Sequence, residues 1–216
     1  MLSIFSCFRK KTPPENLEGW LENRFPGQFE VQVSNLKMLD VMAQFRGEKR
    51  ALVADKSDPD VQFFLNWEKG VEGLGLDEQE LTIAHEHARA EVATARTWLD
   101  RLRGEYLEKR SVGALDASLI VQVFGEPTAV LRERVLGIVQ AATAGNAQPS
   151  PEAVFLEIME PAAFGTEYHG IIPRGHWEAG TGWQRNNLIL SLRIEPGKNT
   201  APVWEINPES PRGARY

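Results

Sequence analysis

The sequence is poor in cysteine, has no excess of basic residues and contains no long hydrophobic run. Its single cysteine, Cys7, excludes an intrachain disulfide and a zinc site built from cysteines. Lys and Arg number 24 against 30 Asp and Glu, a formal net charge of −6, so the basic face that nucleic-acid binding requires is not expected. No window approaches a membrane span. We therefore expect a cytoplasmic protein that binds no nucleic acid and has no stable membrane anchor.

The first 11 residues differ from the rest. Their apolar side chains come before the basic cluster Arg9-Lys10-Lys11, the reverse of a secretory signal. We predict that residues 1–11 form a flexible basic-apolar N-terminus that docks on the domain; the alternative is transient attachment to an anionic membrane surface. Without this segment, 21 basic residues face 30 acidic ones, a charge of −9 that favours a basic protein partner.

Hydrophobic periodicity predicts an α+β fold. Apolar residues between Thr12 and Pro26 recur with the helical period, and alternating patterns follow at 29–33 and 61–67. A long helix is predicted at about 77–103, where apolar residues recur every three or four positions. The apolar pattern over about 118–159 predicts a strand–helix–strand unit, and the apolar run Leu188–Ile194 predicts a further strand. The expected architecture is a single domain with a mixed, largely antiparallel sheet.

The domain boundaries leave two alternatives open. We predict one domain over 12–216, whereas two subdomains would meet near 70–76. The apolar seam of the long helix, 81–106, would also suit self-association as a coiled coil, although its several alanines favour close packing on the sheet. The sequence does not determine the oligomeric state.

A glycine-rich connection precedes the long helix but does not resemble a nucleotide site. Gly70, Gly73 and Gly75 form the order G-x-x-G-x-G, not the dinucleotide fingerprint. Acidic residues in the first helical turn, at 77, 78 and 80, would repel a phosphate there. We therefore predict a simple connection and no cofactor.

The four histidines give weak evidence for a metal. His85 lies on the apolar seam, where a satisfied core histidine is expected, and His87 points about 200° away from it, so the two cannot chelate one ion. His169 and His176 can coordinate a metal only with generic acids nearby, so no metal site is predicted.

Three glutamates precede prolines at the ends of predicted strands. If these strands ran in the same direction, their carboxyl ends would bring the glutamates together: Glu126, Glu160 and Glu195.

The stretch 161–187 is the best candidate for a binding surface. Its 27 residues show no sustained period, which is long for a loop and typical of functional loops. It is rich in tryptophan, tyrosine and arginine, the residues that dominate interface hot spots. The predicted binding residues are Tyr168, His169, Arg174, His176, Trp177, Trp183 and Arg185. The alternative is a structural Ω-loop whose aromatic residues cover the sheet edge.

These features favour a non-enzymatic, cytoplasmic protein-binding protein, such as an adaptor or an immunity-type inhibitor. No nucleophile motif such as G-x-S-x-G is present, and no catalytic residue is predicted. The rival hypothesis is a small-ligand or metal-assisted enzyme that uses His169 and His176 beside the strand-end glutamates.

Overall fold

Two β-sheets and three α-helices build an α+β fold in the described part of the chain. The computed structural model describes residues 16–36, 48–102, 110–115, 118–144, 151–163, 170–172, 187–195 and 203–206. Within these ranges, no helix is long and apolar enough to cross a membrane. The predicted N-terminal segment 1–11 lies outside the described residues.

The smaller sheet is an antiparallel meander. Its strands β1 (Phe29–Leu36), β2 (Glu48–Asp55) and β3 (Asp58–Glu68) lie in the order β1-β2-β3. Helix α1 (Leu17–Arg24) begins at the N-cap Asn16, whose Oδ1 accepts a hydrogen bond from Gly19 N at 2.7 Å. Its buried residues join the apolar face of the sheet in one core.

The long helix α2 spans Glu78–Arg101, which confirms the predicted helix. Asp77 caps its start, accepting a hydrogen bond from Gln79 N at 2.8 Å. Its N-terminal half contributes Leu81, Ala88 and Val92 to the core of the smaller sheet. Farther along, Ala95 and Trp98 belong to the core of the larger sheet. One helix thus contributes to both cores.

A short 3₁₀ turn, Glu72–Gly75, connects β3 to α2. Gly73, Leu74 and Gly75 have φ values of +63°, +60° and +65°, the left-handed region that glycine adopts without steric cost. Leu74 is the exception, and its side chain is buried in the core. The glycines therefore serve a turn, in agreement with the predicted connection.

The larger sheet is mixed. Its strands are β4 (Arg110–Leu115), β5 (Ser118–Phe124), β6 (Ala153–Met159), β7 (Gly170–Ile171), β8 (Leu188–Ile194) and β9 (Glu205–Ile206), in the order β7-β4-β5-β6-β8-β9. Strands β5 and β6 are parallel, and helix α3 (Ala129–Ala144) connects them. This confirms the predicted strand–helix–strand unit.

One face of the larger sheet is covered by the two longer helices. Val112, Val121 and Leu156 are fully buried and lie on neighbouring strands at matching positions. They share a core with Trp98 of α2 and Val139 of α3. On the other face of β5, Ile120, Gln122 and Phe124 are buried as well, so this central strand exposes almost no side chain and its sequence is nearly continuously apolar.

Candidate functional site

Residues 170–172 of the 161–187 stretch lie at the edge of the larger sheet, whereas Pro161–Ala163 forms a short 3₁₀ helix after β6. Gly170 and Ile171 form β7, parallel to β4, and Ile172 N donates a hydrogen bond to Val112 O at 2.8 Å. Ile171 packs against the cores of both sheets. A stretch without periodicity in the sequence thus contains a short strand at the junction between the sheets.

The predicted binding residues themselves lie outside the described part of the chain. This holds for Tyr168, His169, Arg174, His176, Trp177, Trp183 and Arg185. Their assignment to a binding surface therefore stays a prediction.

A small cleft lies beside β7, where the two sheets meet across α2; we call it the junction cleft. It is lined by Asp60, Gln62, Ala88, Glu91, Val92, Ala95, Ala114, Ile171 and Ile172. Its empty volume, including the part open to solvent, is about 220 Å³. The space enclosed within it is about 10 Å³, roughly what one water molecule needs, so the junction cleft has no room for a nucleotide or a large cofactor.

Carboxylates dominate the charge around the junction cleft. Arg96 donates from Nη1 and Nη2 to the two carboxylate oxygens of Asp58, both at 2.7 Å, and from Nη2 to Asp60 Oδ2 at 2.8 Å. The hydrogen bonds from Arg96 hold the pKa of Asp58 below its usual value, and those with Asp58 and Asp60 raise the pKa of Arg96. Glu91 is buried, with Oε1 3.7 Å from His87 Nδ1.

A polar cluster, buried at Asp55 and His85 but exposed at Ser57, connects α2 to the β2–β3 hairpin. His85 Nε2 lies 2.7 Å from Asp55 Oδ2, and Ser57 donates to Asp55 Oδ1 from its backbone N at 2.8 Å and its hydroxyl at 2.7 Å. Burial raises the pKa of Asp55, but the hydrogen bonds from Ser57 and His85 lower it by more. The prediction of a satisfied core histidine at position 85 is confirmed.

This cluster does not form a nucleophile–base pair. In a catalytic triad the serine hydroxyl bonds to the histidine, which then takes its proton. Here the Ser57 hydroxyl bonds to the carboxylate of Asp55 instead, and the His85 ring contacts Phe29 and Phe63 at centroid distances of 5.0 and 5.7 Å. The arrangement joins α2 to the hairpin and does not activate Ser57.

A polar row crosses the larger sheet on the face opposite the two longer helices. Strand pairing places Ser111 next to Gln122, Gln122 next to Glu157, and Glu157 next to Ser191. Gln122 Nε2 donates to Glu157 Oε2 at 2.8 Å. The fully buried Ser111 Oγ and Gln122 Oε1 have no hydrogen-bond partner within the described residues.

Burial raises the pKa of Glu157, and the hydrogen bond from Gln122 only partly opposes this effect. A raised pKa means that the folded state favours the neutral acid. The stability that the protonated Glu157 contributes is complete below the ordinary pKa of 4.5 and is lost as pH rises through the pKa of the folded state.

We expect Glu157→Gln to remove this loss of stability toward neutral pH, measured by urea unfolding across pH. Glu152→Gln, at an exposed residue just before the same strand, should keep the wild-type profile; a Glu157→Gln profile that also matches wild type would contradict the prediction.

The three glutamates that follow strand ends do not all lie at the same end of the strands. Because β5 and β6 are parallel, Glu126 and Glu160 lie at the same end of the sheet. Strand β8 is antiparallel to β6, so Glu195 lies at the opposite end. An acid pair from Glu126 and Glu160 is compatible with this topology, whereas a site with all three glutamates is not.

A metal site is not visible in the described ranges. There, no three residues among His, Cys, Asp and Glu are grouped so that they could hold a metal ion. His169 and His176, the ligands of the rival hypothesis, lie outside those ranges. That hypothesis therefore depends on residues on which the structure gives no information.

Sequence reasoning missed the junction cleft and the polar row. Asp60 and Glu91 are 31 positions apart and belong to different elements, so no local motif connects them. The polar row also has no sequence spacing of its own, because strand register brings its members together. The single signal was a lone glutamine and a lone glutamate inside apolar runs, at 122 and 157.

Comparisons with known proteins give little further information. No protein-family model matches the chain, and no curated protein matches it. Among solved structures, the chain is distantly similar to a DUF5037 family protein from Ruminococcus gnavus ATCC 29149, with 13% sequence identity and a TM-score of 0.40 over 88% of this chain and 93% of that chain. So distant a likeness carries no argument about function.

Proposed function

We propose that this protein is a non-enzymatic, cytoplasmic binding protein for a basic protein partner, in the manner of an adaptor or an immunity-type inhibitor. The 161–187 loop forms part of the contact surface. The observation that carries the proposal is the position of β7, because Ile171 packs on both cores. A loop held at the junction of two rigid sheets presents its neighbouring residues on a preorganised base, which lowers the entropic cost of binding.

The composition around β7 supports the same proposal. Tyr168 and His169 directly precede the strand, and Arg174 and His176 follow Ile172 within four residues. Aromatic residues and arginine contribute most of the binding energy in many interfaces. The excess of acidic residues, with a net charge of −6, favours a basic partner through electrostatic steering.

The test begins with the partner. The immobilised full chain is exposed to an extract of the cells that encode it, and each retained protein is purified and titrated by calorimetry. We expect stoichiometric binding that weakens as salt is raised, because complementary charges are screened. If no purified protein binds stoichiometrically, the proposal is wrong.

Replacing two tryptophans of the loop should then abolish binding. We expect the Trp177→Ala/Trp183→Ala double variant to bind its partner about 100-fold more weakly or worse, because hot-spot aromatics each contribute about 2 kcal/mol or more. Thermal unfolding checks that the variant is folded. Val130→Ala, at an exposed apolar residue of α3 (67% exposed), is the control and should bind like wild type. Undiminished affinity in a folded double variant would refute the role of the loop.

Metal analysis of the purified full chain tests the rival hypothesis. A stoichiometric metal that is lost in both His169→Ala and His176→Ala variants would favour the enzyme. It would also place the loop in a catalytic site rather than in an interface.

A further inference from the structure

The larger sheet is buried on both faces, although α2 and α3 pack on only one of them, which we call the helix face. On the other, the second face, strand alternation places Ile120, Gln122 and Phe124 of β5 and Met159 of β6. All four are buried. The hydrophobic clusters that the described residues form contain none of the three apolar ones. Neighbouring strands shield a side chain only from the sides, so chain outside the described ranges is needed to cover the second face.

The chain between β7 and β8 has to cross the larger sheet. The strand order β7-β4-β5-β6-β8 places three strands between them, so the two strands lie about 19 Å apart at roughly 4.8 Å per step. Residues 173–186, outside the described ranges, lead from Ile172 to Asn187 and β8. Fully extended, these 14 residues reach roughly 46 Å, which is enough to pass over β4, β5 and β6.

The handedness of the connection selects the face on which it crosses. Strands β7 and β8 are parallel to each other but run opposite to the parallel pair β5 and β6. The chain travels in the same direction across the sheet from β5 to β6 and from β7 to β8. Connections between parallel strands are nearly always right-handed. Two right-handed connections with the same direction of travel lie on opposite faces when the strands they join run in opposite directions. Helix α3 connects β5 to β6 on the helix face, so the second face is expected for 173–186.

We infer that the second face is the docking surface of this chain's own residues 173–186, and that the protein partner binds on this side of the molecule, opposite α3. The inference rests on the proposed function, because Trp177 and Trp183 belong to this segment. It deepens that function by naming the side of the molecule that the partner approaches. A segment that already lies on a rigid sheet loses less conformational entropy when the partner binds.

A nitroxide spin label tests where the segment lies, because it broadens methyl signals in nuclear magnetic resonance spectra and its effect falls steeply with distance. Cys7→Ser removes the natural thiol, and Ala179→Cys then carries the label near the middle of the segment. Two adjacent residues of β5 report the two faces, Ile120 on the second face and Val121 on the helix face. We expect several-fold stronger broadening of the Ile120 methyl signals than of the Val121 signals.

A label on the other side of the sheet is the matched control. Gly137 is exposed on α3, and a Cβ at this position would meet nothing within 4 Å beyond its own helix, so Gly137→Cys accepts the label without strain. This label should broaden Val121 more than Ile120. Thr181→Cys is a second site in the segment if Ala179→Cys fails to fold. Broadening of Ile120 that does not exceed that of Val121 with a label in the segment would overturn the inference.

The side on which the partner binds is tested with a bulky adduct. Arg193 lies on the second face, opposite Phe155 in the strand pairing, and its side chain is 60% exposed. A polyethylene glycol chain attached to Arg193→Cys in the Cys7→Ser background should weaken binding of the purified partner about tenfold or more, compared with the unmodified variant. The same chain at Gly137→Cys should leave binding unchanged. An effect at position 137 as large as that at 193, or no effect at 193, would contradict the assigned side.

The outcomes separate this inference from the proposed function. A segment label that broadens Val121 as strongly as Ile120, in a protein whose binding depends on Trp177 and Trp183, would overturn the inference alone. Selective broadening of Ile120 supports docking on the second face even where the tryptophan variant binds its partner normally, a result that would contradict only the proposed role of the tryptophans.

Discussion

Replacing Asp55 with alanine is expected to destabilise the protein by about 3 kcal/mol or more, because hydrogen bonds to an ionised carboxylate contribute about 1.5–3 kcal/mol and the buried His85 ring loses its partner. Asp55 and His85 are 5% and 7% exposed. The change removes the acceptor of three hydrogen bonds and leaves His85 and the Ser57 hydroxyl without it. The free energy of unfolding, measured with urea by circular dichroism, tests this prediction.

A neighbouring aspartate provides the control. Asp60 is 41% exposed in its pair with Arg96, and exposed pairs contribute about 0–1 kcal/mol. Asp60→Ala should therefore be nearly neutral. If the two variants lose the same stability, burial of the Asp55–His85 pair is not what stabilises the hairpin.

The pH dependence of the Asp55 effect has a definite sign. A carboxyl group whose pKa is lowered by folding stabilises the protein above its unfolded pKa, and this contribution is lost as pH falls through the folded value. The difference between wild type and Asp55→Ala should hence be complete near neutral pH and shrink as pH falls below the ordinary pKa of 3.8. A difference that stays constant down to strongly acidic pH would contradict the lowered pKa.

Replacing Trp98 with alanine is expected to cost a similar amount, about 3–5 kcal/mol, because a large buried ring leaves a cavity when it is removed. Trp98 is fully buried where α2 packs on the larger sheet. Its Nε1 has no hydrogen-bond partner within the described residues, so the loss comes from packing. Trp98→Phe, which keeps most of the apolar area, should lose much less stability.

An exposed residue of the same helix provides the control for Trp98. Ile83 is 58% exposed, and Ile83→Ala should change the free energy of unfolding by less than about 0.5 kcal/mol. A loss as large as that of Trp98→Ala would show that burial in the core is not what sets the cost of truncating a side chain on α2, since alanine is itself the better helix former.

The two large variants together test the predicted single domain. Asp55 lies in the smaller sheet and Trp98 packs on the larger one, while α2 contributes to both cores. If the chain folds as one cooperative unit, both variants shift one shared unfolding transition. Two transitions, each shifted by only one variant, would instead support subdomains that meet near 70–76.

Local sequence patterns predicted the elements well where burial is regular. Helix α2 buries one stripe of apolar residues in the two cores, so its period of 3.6 residues is visible in the sequence. Strand β8 was predicted as Leu188–Ile194, the bounds that the structure has, and the unit predicted at about 118–159 spans Ser118 of β5 to Met159 of β6. Strand β7 was missed, because two residues cannot show a period.

The candidate sites could not be predicted in the same way. The Asp55–His85 contact joins residues 30 positions apart, and the junction cleft takes its lining from four separate segments. Strand direction decided that Glu126 and Glu160, but not Glu195, lie at the same end of the sheet. None of these relations leaves a local periodicity, because each depends on how distant segments pair.

The amino-acid sequence by itself determined the class of this protein: an acidic α+β chain with one long helix, a strand–helix–strand unit and no Cys-based zinc site. Periodicity and composition are local properties, and local properties suffice to choose helix or strand. Only the tertiary structure decided that the strands form two sheets, that α2 connects their cores, and that Asp60 and Glu91 share a cleft with Ile171. The physical reason is that strand pairing and helix packing are long-range choices, made by burial of whole faces and not by any one segment.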